Sequence, residues 1–169
     1  MIHLYHGDGK GKTTAAMGLA LRMAGRNRGV VIAQFLKGED SGERQALARL
    51  PQVTLLPLPE QVKFTFQLTA EEFQLESARN CSLLTQATAL AQDPNCGLVV
   101  LDEVCSAVAL NLLPLSPLLD FLDHAQAEVV LTGRDPKPEL CQRADYITFF
   151  QKLRHPYDSG VSARSGIEF

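Results

Sequence analysis

The run Gly7-Asp8-Gly9-Lys10-Gly11-Lys12-Thr13-Thr14 constrains this chain more than any other part of it. Ile2 to Tyr5, just before it, reads as a strand. Thr13 to about Asn27, just after it, reads as a helix with Ala, Leu and Met on almost every side, which predicts that the helix is largely buried. A glycine-rich turn between strand and helix can point several backbone N–H groups inward, because glycine takes positive φ without strain. Together with the positive end of the helix and a lysine, such a turn cradles a chain of phosphates. The strict P-loop pattern has glycine at position 6, where this chain has His6, so the match is to a G-x-G-x-G-K-T-T variant. Residues Gly7 through Thr14 are therefore the candidate nucleotide-binding set, with Thr13 also a candidate ligand for magnesium.

The rest of the chain alternates β-branched runs with longer helical stretches, the pattern of βαβ units and a parallel sheet. Further strands are predicted at Gly29 to Phe35, Val53 to Leu56, Leu98 to Leu101, Val129 to Thr132 and Tyr146 to Phe150. Helices are predicted from Ala70 to Gln92, opened by a Thr69/Glu72 capping box, and from Ser116 to Ala125. The fold class is α/β: a single-domain P-loop (RecA-like) fold over residues 1–169, with a mostly parallel sheet of about six strands and helices on both faces. Residues 57–68 hold two prolines plus Phe64 and Phe66 without a period, and read as a lid loop; residues 155–169 read as an irregular tail.

Composition narrows the function classes. With 169 residues and 46% apolar content the chain supports one globular domain and its core, which excludes intrinsic disorder. A net charge of −3 has the wrong sign for a dedicated nucleic-acid binder. Apolar stretches are too short for a membrane span, and the first residues carry no secretion signal, so a cytoplasmic location is expected. Cys81, Cys96, Cys105 and Cys141 are irregularly spaced and suggest reduced thiols in the core, neither a zinc site nor a disulfide framework.

Two more segments carry chemistry. Leu98 to Leu101 runs into Asp102 and Glu103; in P-loop folds such a strand is expected beside the first, delivering a carboxylate to the metal on the nucleotide. Asp102 and Glu103 are thus metal candidates, the plainer alternative being a solvated strand end. Leu131-Thr132-Gly133-Arg134 ends a later strand on the same carboxyl edge, where Arg134 can reach a phosphate oxygen or can be an ordinary surface arginine. His3, His6, His124 and His155 show no metal-ligand spacing, and Arg22, Arg26 and Arg28 read as a solvated helix end.

These pieces, in this order, resemble the P-loop ATP:corrinoid adenosyltransferases, the CobA/BtuR family. The resemblance covers nearly the whole chain: GDGKGKTTAAMG, VVIAQFLKG, VVLDEV, the LPL turn at Leu113 to Leu115, the TGR turn, and the closing RHPYDSGVSARSGIEF. It implies transfer of the 5′-deoxyadenosyl group of ATP to Co(I) of a corrinoid, with release of triphosphate. The acceptor would be cobalamin, cobinamide or a cobyrinic acid diamide. Magnesium or manganese would accompany ATP, Lys12 and Arg134 would stabilise the leaving triphosphate, and ATP would lie in the reverse sense to that in P-loop hydrolases. Phe64 and Phe66 match the family's aromatic pair over the corrin, with Phe66 where tryptophan is often found; they would displace the lower axial ligand, the alternative being that they anchor the loop in the core. The resemblance further implies a homodimer and an electron donor such as a flavodoxin or flavin reductase. Departures are Asp8 in place of the usual Asn, the absence of Trp, and the lack of the amino-terminal extension that helps cover the site in longer members. Two other classes stay open: a P-loop phosphotransferase or ATPase, which would release phosphate or diphosphate, and a non-catalytic protein that binds ATP and corrinoid.

Overall fold

Alternation along the buried strands dictates a sheet covered on both sides. In β2 (Gly29–Gln34), Val30 and Ile32 point into one apolar cluster while Val31 and Ala33 point into another; in β4 (Cys96–Asp102), Leu98 and Val100 divide from Val99 and Leu101 in the same way. A strand whose two faces both carry branched apolar residues is stable only between layers of helices. The computed structural model describes residues 1–38, 41–59, 63 and 65–168. It completes a six-stranded sheet with β1 (Ile2–His6), β3 (Val53–Leu55), β5 (Glu128–Gly133) and β6 (Tyr146–Phe149), in the order β3-β2-β4-β5-β1-β6. Every pairing is parallel.

One face packs on α1 (Lys12–Ala24) and α2 (Gly42–Leu47), through Ala16, Met17, Ala20, Ala24 and Leu47. The other packs on α3 (Ala70–Leu90), α4 (Val104–Ala109), α5 (Leu115–His124) and α6 (Pro138–Arg143), through residues such as Leu83, Leu84, Val104, Phe121 and Leu140. Both hydroxyl–amide and carboxylate–amide halves of the capping box at the start of α3 form, Thr69 Oγ1 accepting from the Glu72 N–H at 3.2 Å and Glu72 Oε2 from the Thr69 N–H at 3.0 Å. None of the described helices is long and apolar enough to cross a membrane.

Three expectations change. The acidic strand β4 is not beside β1, because β5 lies between them and pairs with both. The first helix is buried along one stripe only: Leu21 is 56% exposed, so its apolar content overstates its contacts. The helices α2, α4 and α6 were not anticipated, since six residues are too few for a 3.6-residue period to stand out. The remaining elements end within a residue or three of the predicted bounds.

Candidate active site

All parallel strands end on one edge, and there β1, β4 and β5 deliver Gly7, Asp102 and Gly133. Gly7 (φ 117°) and Gly11 (φ 112°) bend the loop into the left-handed region that disfavours a side chain. Gly9 is required for another reason. A Cβ there would meet the Phe150 carbonyl oxygen at 2.7 Å, because the chain leaving β6 lies against the loop and accepts the Gly9 N–H at 2.7 Å. A cavity of about 960 Å³ opens over this loop, a size suited to a nucleoside triphosphate. Asp8, Lys10, Lys12, Thr13 and Thr14 line it, while Gly7 sits buried behind.

Lys12 is not on a solvent-facing surface, as its loop position leads one to expect: it is 7% exposed, and its Nζ donates to the Gly9 carbonyl at 2.8 Å. Burial holds its pKa below the usual lysine value, and nearby Arg134 pushes the same way, against the pull of Glu103, Asp8 and Asp102. An ammonium held this way, short of counter-charge, is prepared to meet phosphate.

Asp102 is the hub of the site and is wholly buried. Its Oδ1 accepts from Thr13 Oγ1 (3.0 Å) and Thr132 Oγ1 (2.6 Å); its Oδ2 accepts from Gln34 Nε2 (3.1 Å) and Lys37 Nζ (2.6 Å). Behind Gln34 stands Arg44, whose guanidinium donates to Gln34 Oε1 and to the Leu56 carbonyl, both at 2.9 Å. Burial alone would raise the Asp102 pKa; the Lys37 charge and the hydrogen bonds from Lys37, Thr132 and Gln34 outweigh it and hold the carboxyl below its ordinary value. Asp102 is therefore no solvated strand end. Glu103 differs: its backbone is left-handed (φ 61°), its N–H donates to Thr132 Oγ1 at 2.8 Å, and its carboxylate lines the cavity while accepting from Ser106 Oγ at 2.6 Å.

Arg134 follows Gly133, whose φ of 142° lets the chain turn against α4, with the Ser106 hydroxyl accepting the Arg134 N–H at 3.0 Å. Its side chain is exposed and lines the cavity. The opposite wall is the carboxy-terminal segment, whose contribution the sequence did not reveal. Lys152, His155, Tyr157 and Asp158 face the cavity. The Lys152 N–H donates to Asp8 at 2.9 Å, a bond that is the main cause of the lowered Asp8 pKa. Lys10, which lines the cavity, also donates to the Ile167 carbonyl at 2.6 Å. Hydrogen bonds from Arg164 hold Glu168 at a pKa of about 2.

Of the aromatic pair, Phe64 lies outside the described residues. Phe66 sits in a 3-10 turn (Thr65–Gln67) and is 83% exposed, which rules out the reading of Phe66 as a core anchor. No group of three or more His, Cys, Asp or Glu is placed to hold a metal among the described residues. Thr13, Asp102 and Glu103 nevertheless present the oxygen donors a hard cation takes, few enough to suit magnesium that keeps substrate phosphates among its ligands. That a cation suits this spot is visible directly, since the Lys37 ammonium already touches both Asp102 and Thr13.

Residues 1–169 match the family described as ATP:corrinoid adenosyltransferase BtuR/CobO/CobP. The corrinoid adenosyltransferase CobA of Salmonella typhimurium is 30% identical over 177 residues, covering 100% of this chain and 85% of that protein. The corrinoid adenosyltransferases of Escherichia coli and Pseudomonas aeruginosa are each 31% identical, again over 100% of this chain and over 85% and 83% of their own lengths. The chain belongs to the ATP:corrinoid adenosyltransferase family.

Proposed function

We propose that this family member transfers the 5′-deoxyadenosyl group of ATP to the Co(I) centre of a corrinoid and releases triphosphate, the whole chain acting as one P-loop domain. The observation that carries the reading is the convergence of Lys12, Lys37 and Arg134 on one cavity of nucleotide size beside a carboxylate hub. Co(I) brings its own electron pair: the Co–C5′ bond forms as the C5′–O bond breaks, the pair leaves on triphosphate, and cobalt becomes formally Co(III). Such a reaction needs no protein nucleophile or base; it needs alignment of C5′ with cobalt and charge complementary to the leaving group. The loop amides of Gly7 to Thr14 and the Lys12 and Arg134 side chains suit that second task. Thr13, Asp102 and Glu103 would hold magnesium or manganese, which when bound neutralises phosphate charge.

Phe66, and with it Phe64, would supply the apolar surface that excludes the lower axial ligand of Co(II), making reduction to Co(I) accessible; the exposure of Phe66 supports this. An electron donor such as a flavodoxin or flavin reductase would complete the cycle. A homodimer fits the apolar edge that Tyr146, Ile147 and Phe149 leave half-exposed on β6, and a cytoplasmic location fits four free thiols. The test is direct. The protein is incubated with ATP, magnesium and chemically generated Co(I) corrinoid, and light-sensitive adenosylcorrinoid and triphosphate should appear in equal amounts. Phosphate or diphosphate without a cobalt–carbon bond would refute the proposal.

A further inference from the structure

Just beyond β2 the chain turns at Phe35 and Leu36. Leu36 adopts φ 56°, a left-handed conformation that strains a bulky side chain and persists only where the surroundings fix it. The turn directs Lys37 back across the sheet edge, where its ammonium lies 2.6 Å from Asp102 Oδ2 and 3.0 Å from Thr13 Oγ1. These are the two groups that P-loop chemistry assigns to the divalent ion. With the hydroxyl donors of Thr13 and Thr132 on Oδ1 and the amide of Gln34 on Oδ2, the Asp102 carboxylate has every acceptor position filled. A divalent ion can reach it only if the ammonium leaves. Lys37 is about a quarter exposed and lines the nucleotide cavity, so the space into which it would move is the space the triphosphate fills.

From this geometry we propose that Lys37 is a tethered stand-in for the divalent ion: it holds Asp102 and Thr13 in place without nucleotide and is exchanged for the metal when metal and triphosphate arrive together. The inference rests on the reading above that Thr13 and Asp102 serve the metal of ATP. Its consequence is coupling. Metal alone must evict the ammonium into a cavity that offers it no anion in exchange, whereas with triphosphate present the evicted charge moves onto phosphate oxygens. Lys37 is then a positioning residue whose loss a metal can replace.

The experiment compares wild type with Lys37→Met. Mn2+ binding without nucleotide is read from the loss of the free-ion electron paramagnetic resonance signal, and thermal midpoints are recorded with and without millimolar Mg2+. Lys37→Met should bind Mn2+ at least tenfold more tightly than wild type. Its lowered midpoint should recover with Mg2+, while wild type without nucleotide hardly responds. A lysine that only braced the fold would lose stability with no metal rescue. If Lys37→Met does not fold, Lys37→Gln keeps a neutral donor toward Asp102 and should show the same gain in Mn2+ affinity. Uptake of Mn2+ by wild type with ATP, but equal Mn2+ affinities in wild type and variant, would overturn the exchange while leaving the metal site standing. No uptake by any form, even with ATP, would remove the metal site and this inference with it.

Discussion

Replacing Thr132 by valine is the sharpest test of the carboxylate hub, because it keeps the shape of a fully buried side chain and deletes one oxygen. That oxygen donates to the Asp102 carboxylate at 2.6 Å and accepts the Glu103 N–H at 2.8 Å. A hydrogen bond to a charged group contributes roughly 1.5–3 kcal/mol, and a stranded N–H adds about 1 kcal/mol, giving about 3 kcal/mol in all. In a protein of this size each kcal/mol moves the thermal midpoint by roughly 2–4 °C, so Thr132→Val should melt about 6–12 °C lower. Thr148→Val on the exposed strand β6 serves as the control and should shift by less than about 2 °C. The pH dependence carries a sign. The folded Asp102 pKa is depressed, so the stability it contributes is present above the unfolded carboxyl value and is lost as pH falls through the folded value. Thr132 helps depress it, so the gap between wild type and variant should be widest near neutrality and narrow in acid. A variant that melts with the control, or a gap that widens in acid, would refute the hub.

Arg134→Ala should slow single-turnover adenosyl transfer at least tenfold with little loss of stability, since the side chain is exposed and its charge counts most as triphosphate departs; an unchanged rate would return it to an ordinary surface arginine. Phe66→Ala should cripple reactions that start from Co(II) with a mild reductant and spare those given preformed Co(I), with a stability change under about 0.5 kcal/mol because the ring is 83% exposed; equal loss in both assays would defeat the wedge. Burial pushes the Cys105 thiol up to about 12, so at pH 8 a thiol reagent should modify the half-buried Cys81 and Cys141 first and reach Cys105 only on unfolding, as mass spectrometry of partly labelled protein would reveal.

What could be read from the sequence was what is local. The phosphate loop announces itself because its glycines, lysine and flanking elements are contiguous, and the acids at 102 and 103 because an apolar strand ends on them. Which acid is buried and which faces the cavity was not legible, since it depends on the alternation of β4 and on the left-handed turn at Glu103. Lys37 stood in the run VVIAQFLKG without a role. Its place beside Asp102 follows from the pairing of Gln34 with Asp102 across β2 and β4, a register between segments 68 residues apart that no local pattern specifies. The insertion of β5 between β4 and β1 is likewise a matter of topology, and the tail has no period because it is held by short turns of its own and by the Lys10 ammonium on the Ile167 carbonyl.

The bond between Asp8 and Lys152 spans 144 positions, and with it the earliest and latest parts of the described chain share one cavity. During synthesis, at about 5–20 residues per second, the phosphate loop leaves the ribosome many seconds before the segment that walls it. A chain ending near residue 150 and free of the ribosome would hold all six strands and every residue of both apolar cores and lack one side of its cavity. The wall of the pocket thus follows every strand of the sheet, so the sheet can fold before its cavity is closed on that side.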